Sequence, residues 1–284
     1  MKIIRSVAQM QKMMMRRAGK SLGFVPTMGA LHAGHLSLIR RARTENDLVA
    51  VSIFVNPAQF GPREDYQRYP RPFAQDARLC RAAGVDYFFA PAAADMYPDG
   101  YATYTEVTHL SNVLCGASRP GHFRGVATVV AKLLNITAPD RAYLGIKDYQ
   151  QVHIISRMVR DLNMPVKIVA CPTVREPSGL ALSSRNQFLS AEQKAGSAVI
   201  ARALHHCRDL ILSKKQRKSR EIIQCMKRMI TSIPGAKIDY VAVVDCQTLD
   251  PITVVGSVAA IVCAVRVGTT RLIDNIVVRS AVSR

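Results

Sequence analysis

The stretch Gly23-Phe24-Val25-Pro26-Thr27-Met28-Gly29-Ala30-Leu31-His32-Ala33-Gly34-His35 decides how this chain is read. Its opening residues are apolar and predict a short buried strand that stops at Pro26. Gly29 predicts a tight turn, and a helix is entered at about His35, with Leu36 and Ile39 on one face. A helix N-terminus presents unpaired N–H groups and partial positive charge, so this entrance favours phosphate. Imidazoles at His32 and His35 add donors to the same anion and can neutralise charge that grows on phosphate oxygens during displacement. A side chain at Gly34 would hold a ligand away from the backbone. Local capping is the plainer reading of a single histidine. The His-x-Gly-His spacing, after a strand and before an amphipathic helix, has the context that points to function.

Outward from this stretch, Leu48-Val-Ala-Val-Ser-Ile-Phe-Val55 is a continuous apolar run with one serine. A strand buried on both faces reads this way, which implies a parallel sheet covered by helices. Further strands are expected over 85–90, 142–146 and 166–170, with helices over 73–83 and 125–135. The fold class is therefore α/β: a Rossmann-like doubly wound parallel sheet. Helices expected over 191–214 and 219–232, then strands over 238–244, 258–266 and 270–278, make a smaller C-terminal α+β domain. The expected domains are 1–173, which binds the small molecules, and 174–284, a lid.

In open α/β sheets ligands lie just beyond the carboxyl ends of strands. Asn56 and Gln59 follow one such end, and Lys147, Asp148 and Gln151 follow another. Gln59 offers two donors and an acceptor, which suits a hydroxy acid. Lys147 is a compact charge placed for a β- or γ-phosphate, and Asp148 can orient it or touch a ribose hydroxyl. Ser183, Ser184 and Arg185 set two hydroxyls beside a guanidinium, a combination that suits polyphosphate. Residues 61–72, rich in Pro, Arg and Tyr, read as a mobile loop or lid. His122 and Arg124 read as braces of their own loop.

The composition narrows the classes. At 284 residues and 49% hydrophobic, the chain can bury a sizeable core, and no apolar run is long enough to span a bilayer. Seven scattered cysteines without a Cys-x-x-Cys pair argue against a disulfide framework or a zinc site, and fit a reducing cytosol. The basic N-terminus raises the question of an organelle leader, but the expected strand starts at about Ser21, where cleavage would cut into the fold. A net charge of +19 suits nucleic acid, acidic membrane or anionic substrates. The basic run Lys214-Lys-Gln-Arg-Lys-Ser-Arg220 lacks interleaved aromatics, and tryptophan is absent. Most of this charge reads as solvated surface, with some steering of an anionic substrate.

His-x-Gly-His after a strand resembles the signature of the nucleotidyltransferase superfamily that includes class I aminoacyl-tRNA synthetases. The longer string from Pro26 to His35 resembles the pantothenate synthetase (pantoate–β-alanine ligase) family. Four further blocks agree in order, Phe54-Val-Asn-Pro-Ala-Gln-Phe60, Ala117-Ser-Arg-Pro-Gly-His-Phe-Arg-Gly125, Gly145-Ile-Lys-Asp-Tyr-Gln-Gln151 and Gly179-Leu-Ala-Leu-Ser-Ser-Arg-Asn186, and the resemblance runs on to Arg271-Leu-Ile-Asp-Asn275. The resemblance implies ATP-dependent condensation of pantoate with β-alanine through a pantoyl adenylate, with release of AMP and pyrophosphate. It implies an ATP site formed by Met28 to His35, by Gly145, Ile146, Lys147 and Asp148, by Val174, and by Leu182 to Arg185. His32, His35, Lys147 and Arg185 would be the catalytic donors and cations. Asn56, Gln59 and Gln151 would meet pantoate, with Gln59 also near β-alanine, and Asp76 would help hold Mg²⁺. The position before Asp76, often acidic in the family, is Gln75 here. A cytoplasmic homodimer without nucleic-acid or membrane partners is implied as well.

Two other readings share features. A nucleotidyltransferase acting on a phosphorylated headgroup would keep the His-x-Gly-His turn but need a cation pocket in place of Gln59 and Gln151. A basic RNA-binding module would explain the charge but leave the polar blocks without a role.

Overall fold

The computed structural model describes residues 1–62, 64–213 and 216–280. Lys214 and Lys215 of the basic run, and the end of the helix expected to reach Lys214, lie outside them. The first part of the chain forms β1 (Lys2–Ile4), α1 (Val7–Met15), β2 (Leu22–Thr27), α2 (Ala33–Glu45) and β3 (Leu48–Ile53). A single 3-10 turn (Pro57–Gln59) leads to α3 (Phe73–Ala82), β4 (Tyr87–Phe89), α4 (Ala93–Met96), α5 (Cys115–Ser118) and α6 (His122–Thr137). Next come β5 (Arg141–Gly145), α7 (Tyr149–Asp161), β6 (Lys167–Cys171) and a 3-10 turn at Ser184–Phe188. The chain continues through α8 (Ala191–Leu212), α9 (Ser219–Ile230), β7 (Ala236–Val244), β8 (Val258–Val267) and β9 (Thr270–Arg279).

These elements form two compact units. One comprises Met1–Asn112, Arg119–Ile146 and Gln151–Pro172, and the other Val113–Ser118, Lys147–Gln150 and the chain from Thr173 onward. Two short segments thus leave the chain around them and pack with the C-terminal unit, so Lys147 and Arg185 belong to the same unit.

The first unit holds a six-stranded sheet in the order β1-β4-β3-β2-β5-β6, parallel at every pairing. This is the Rossmann-like doubly wound sheet expected from the sequence. Val49, Ala50, Val51 and Ser52 of β3 are all buried, as the unbroken apolar run requires when helices cover both faces. Val25, Val51, Phe88 and Tyr143 pack with Leu38, Ile39 and Ala42 of α2 and with Ala77 and Cys80 of α3. From β2 the order climbs to β3 and β4 on one side and to β5 and β6 on the other. The switch point therefore lies between β2 and β5, where such sheets place their ligands.

Pro26 keeps that switch point open. The strand does not stop there but runs on to Thr27. Alternate residues of a strand face alternate neighbours: Ser21 and Thr27 accept from β3 and its continuation, whereas Leu22 accepts from the Asp140 N–H. Pro26 shares the parity of Leu22, so its missing N–H faces β5. The β2–β5 ladder is registered only at Gly23–Phe24 against Arg141–Ala142. A proline is tolerated in a central strand because the partner has already left.

The second unit is built on an antiparallel sheet, β7-β8-β9, with the α+β character expected of the C-terminal part. Leu204 and Ile211 of α8 and Ile222 and Met226 of α9 form one core with Ile261 and Val265 of β8. Ser190 and Gln193 close the capping box that starts α8.

In the first unit α6 comes closer to the turn at Pro57–Gln59 than side chains would permit. A Cβ on Gly125 would lie 2.1 Å from the Ala58 carbonyl oxygen and 2.7 Å from Gln59 Cα. Both obstacles are backbone and cannot rotate away. We expect Gly125→Ala to push this turn aside, with an overpacking cost of about 1–3 kcal/mol or more. For a chain of this size that lowers the thermal midpoint by about 2 °C or more. A midpoint within about 1 °C of the parent in differential scanning calorimetry would contradict the close approach.

Candidate active site

The helix entrance is held by the histidines themselves. His32 is the N-cap of α2, so the helix starts at Ala33, earlier than the sequence suggested. Its Nδ1 accepts the Gly34 N–H at 3.1 Å, and Nδ1 of His35 accepts the His32 N–H at 3.3 Å. The two side chains form a reciprocal capping box, with ring centroids 4.1 Å apart. A backbone N–H can only donate, so each Nδ1 must keep its lone pair. In the neutral rings the proton therefore sits on Nε2, which makes each Nε2 a donor. The capping and anion-binding readings of these residues are thus compatible, one ring nitrogen serving each. Of the N–H groups at the helix entrance, that of Gly34 is taken by His32.

The turn before the helix is braced from α3. Gly29 (φ +87°) and Ala30 (φ +51°) lie in the left-handed region. The Asp76 carboxylate accepts the Ala30 N–H at 2.9 Å and the Leu31 N–H at 2.8 Å. Asp76 is 1% exposed, and burial raises its pKa above the usual carboxylate value against the lowering effect of the two amide bonds. Both of its oxygens thus serve the turn. Among the described residues no group of three or more His, Cys, Asp or Glu side chains could hold a metal ion. Each Asp76 oxygen keeps a second lone pair beside its amide bond, so this carboxylate would be the group to help hold a Mg²⁺ that arrives with the phosphates of a nucleotide.

Asn56 and Gln59 sit where the end of β3 was expected to deliver them, but they do different work. The Asn56 amide donates to Gln59 Oε1 (3.0 Å) and to the Gly125 carbonyl (3.1 Å). Its Oδ1 accepts the Ala58 N–H (3.2 Å) and the Tyr97 hydroxyl (2.7 Å). Two donors and two acceptors are the whole capacity of an asparagine, and Asn56 is 1% exposed. In this structure Asn56 is a buried brace that aims Gln59. Gln59 Nε2 points at Met28 Sδ, 3.2 Å away. A thioether is a weak acceptor, so this N–H has more to gain from a substrate oxygen.

Behind Gln59 runs a chain of polar contacts that sequence reading did not find. Arg119 grips Glu64 through Nε and Nη2, each at 2.6 Å, and its Nη1 lies 2.8 Å from His122 Nε2. A guanidinium only donates, so His122 accepts there, and its Nδ1–H donates to the Gln59 carbonyl at 2.8 Å. Burial pushes the Glu64 carboxyl up, but the Arg119 bonds outweigh it and the pKa falls below the ordinary value. Glu64 lies in the 61–72 segment expected as a lid. His122 is a brace, as expected, and Arg124 lies over the Tyr104 ring at 4.6 Å.

The second unit gathers the cationic candidates. Lys147 Nζ is 3.5 Å from Asp148 Oδ1, and the Lys147 side chain is 18% exposed. The Leu182 N–H donates to the Val174 carbonyl at 3.0 Å, which sets Val174 beside the Leu182–Arg185 run. Ser183 Oγ accepts the Arg185 N–H at 3.2 Å and caps the turn that carries Ser184 and Arg185. Consecutive glutamines divide at the start of α7. Gln150 is buried, accepting the Cys115 N–H and donating to the Val113 carbonyl. Gln151, in the first unit, is half-buried.

The pantoate-beta-alanine ligase family model matches residues 2–277. The chain is 56% identical to the pantothenate synthetase of Moorella thermoacetica over 262 residues, 92% of either chain. It is similar to the crystal structure of the Thermus thermophilus pantothenate synthetase, with 46% identity and a TM-score of 0.92 over 97% of this chain and 99% of that one. It is also similar to the pantoate-beta-alanine ligase of Francisella tularensis, crystallised in complex with beta-gamma ATP and beta-alanine. That likeness has 40% identity and a TM-score of 0.81 over 97% of each chain. With the family model matching nearly its whole length, the chain belongs to the pantoate–β-alanine ligase family.

Proposed function

We propose that this chain condenses pantoate with β-alanine at the expense of ATP, giving pantothenate, AMP and pyrophosphate. The observation that carries the reading is the neutral amide of Gln59 lying against Met28, in the turn that also sets out His32 and His35. A hydroxy acid held by neutral amides beside a phosphate-binding turn has its carboxylate next to the α-phosphate. The Francisella relative's complex with an ATP analogue and β-alanine supports the same substrates.

The chemistry runs in two displacements. A carboxylate oxygen of pantoate attacks the α-phosphorus of ATP, and the bond to the pyrophosphate oxygen breaks. The amine of β-alanine then attacks the acyl carbon, and the acyl–oxygen bond breaks to release AMP. A carboxylate is a poor acylating agent, and the adenylate supplies its leaving group. The protein mainly positions the reactants and stabilises charge. His35 donates from Nε2 to the α-phosphate region, with His32 beside it. Met28 to His35, Gly145 to Asp148, Val174 and Leu182 to Arg185 form the ATP site. Within it, Lys147 and Arg185 of the C-terminal unit bring the cations for the polyphosphate. Gln59 and Gln151 hold pantoate, and Gln59 also receives β-alanine. ATP brings Mg²⁺ with its phosphates.

On the same reading the protein is a cytoplasmic homodimer. The family likeness supports the dimer, and seven cysteines without a disulfide support a reducing compartment. No helix among the described residues is long and apolar enough to cross a membrane. A monomer mass in equilibrium sedimentation would overturn the dimer.

Isotope exchange tests the first displacement. Labelled pyrophosphate should enter ATP when pantoate is present and β-alanine is absent, and His35→Ala should slow this exchange by about a hundredfold or more. Exchange that needs β-alanine would sink the adenylate, and parental exchange in the variant would sink the role of His35. For Gln151, sites built to bond hydroxyls discriminate by those bonds. Gln151→Ala is expected to raise the KM for pantoate by about tenfold or more while the KM for ATP barely moves. Equal changes in both constants would mark Gln151 as structural.

A further inference from the structure

The Arg271-Leu-Ile-Asp-Asn275 run has no assigned role in the reaction, yet it organises the second unit. Arg271 and Asn275 are four residues apart on β9 and share a face. Arg271 donates from Nε to Asp239 at 2.7 Å, and its Nη atoms lie 3.5 and 3.6 Å from Cys115 Sγ and 3.4 Å from Ser118 Oγ. Asn275 Nδ2 donates to the Lys147 carbonyl at 2.9 Å. One strand face thus holds both short segments that leave the first unit, 113–118 and 147–150. The Gln150 amide joins these segments to each other.

Asn275 is itself fixed from behind. Its N–H donates to Asp274 Oδ1 at 2.8 Å, and Arg175 grips both Asp274 oxygens at 2.6 and 2.9 Å. Asp274 and Asn275 are 5% and 6% exposed. A paired, hydrogen-bonded carboxylate of this kind holds its geometry well. A lysine carries its charge on a flexible four-carbon stem, so where the ammonium goes depends on where its backbone is held. The main-chain bond to Asn275 supplies that hold, and the nearby Asp148 carboxylate limits the reach of the stem.

We propose that Asn275 is a positioning residue for Lys147: through the Lys147 carbonyl it sets the place from which the ammonium meets the ATP phosphates. The inference rests on the reading of Lys147 as a phosphate-binding cation. It gives the Arg271–Asn275 run a purpose in the first displacement, although none of its side chains needs to touch a substrate.

A double-mutant cycle tests it. Asn275→Ala and Asn275→Asp are made in the parent and in Lys147→Ala, and the KM values for ATP and pantoate are measured together with thermal midpoints. The aspartate keeps the shape of asparagine and loses the N–H that Lys147 accepts, so it decides the question should the alanine variant fail to fold. Each substitution in the parent is expected to raise the KM for ATP by about tenfold and to leave the KM for pantoate within about twofold. In the Lys147→Ala background the same substitutions are expected to add nothing. A full further loss in that background, or parental ATP kinetics in both Asn275 variants, would overturn the positioning role. Parental ATP kinetics in Lys147→Ala alone would overturn the reading of Lys147 itself, and the role of Asn275 with it.

Discussion

Two amide hydrogen bonds to one buried carboxylate hold the turn on which the first unit's part of the site is built. Asp76 takes the N–H groups of Ala30 and Leu31, immediately after the positive-φ pair Gly29 and Ala30. A backbone in that region is costly for a non-glycine residue unless its surroundings fix it. Burial of Asp76, which raises its pKa, is the cost of that support. With the turn fixed, His32 can cap α2 and His35 can bond back to His32, and each ring presents Nε2 as a donor. The pair of Nε2 donors is thus set out by a carboxylate that bonds the backbone of the turn.

The remaining polar groups divide between neutral and charged work in a way that matches a hydroxy acid and a nucleotide. In the first unit the substrate-facing candidates are amides, Gln59 and Gln151. Gln59 is aimed by Asn56, by the close approach of Gly125 and by His122 on its carbonyl. Arg119, whose guanidinium lies against the Gln59 carbonyl, is committed to Glu64. A phosphorylated headgroup would require a free cation where Gln59 stands, which tells against a headgroup nucleotidyltransferase. In the second unit the cationic candidates are Lys147 and Arg185.

The sequence revealed the fold most clearly where one physical cause acted alone. The unbroken apolar run of β3 implied a strand buried on both faces, and the helix expected from 191 starts at Ala191 as α8. The alternating C-terminal segments fell within about two residues of β7, β8 and β9. It was less legible where two causes competed. Pro26 argued for the end of a strand, but the departure of β5 removed the penalty and β2 continued to Thr27. His32 reads as a ligand candidate by spacing, and only the structure shows its Nδ1 occupied as a cap. Asn56 reads as a binding candidate from its place at a strand end, and only the structure shows the tertiary contacts its side chain makes with Gln59, Gly125 and Tyr97. Lys147 follows β5 in sequence but packs with β9, a long-range choice that no local pattern encodes. The short helices α4 and α5 have four residues each, too few to show a period.

The central claim is that a pantoate carboxylate oxygen attacks the α-phosphorus of ATP at the turn set by His32 and His35. The most direct measurement follows that oxygen. Pantoate labelled with oxygen-18 in its carboxylate is turned over with β-alanine and ATP, and the products are analysed by mass spectrometry. If the carboxylate attacks the α-phosphorus, one of its oxygens becomes the bridge of the adenylate and leaves with AMP when the amine cleaves the acyl–oxygen bond. The account predicts one labelled oxygen in AMP and none in pyrophosphate. Label in inorganic phosphate, with ADP as the nucleotide product, would indicate an acyl phosphate and contradict the assignment of this turn to the α-phosphate.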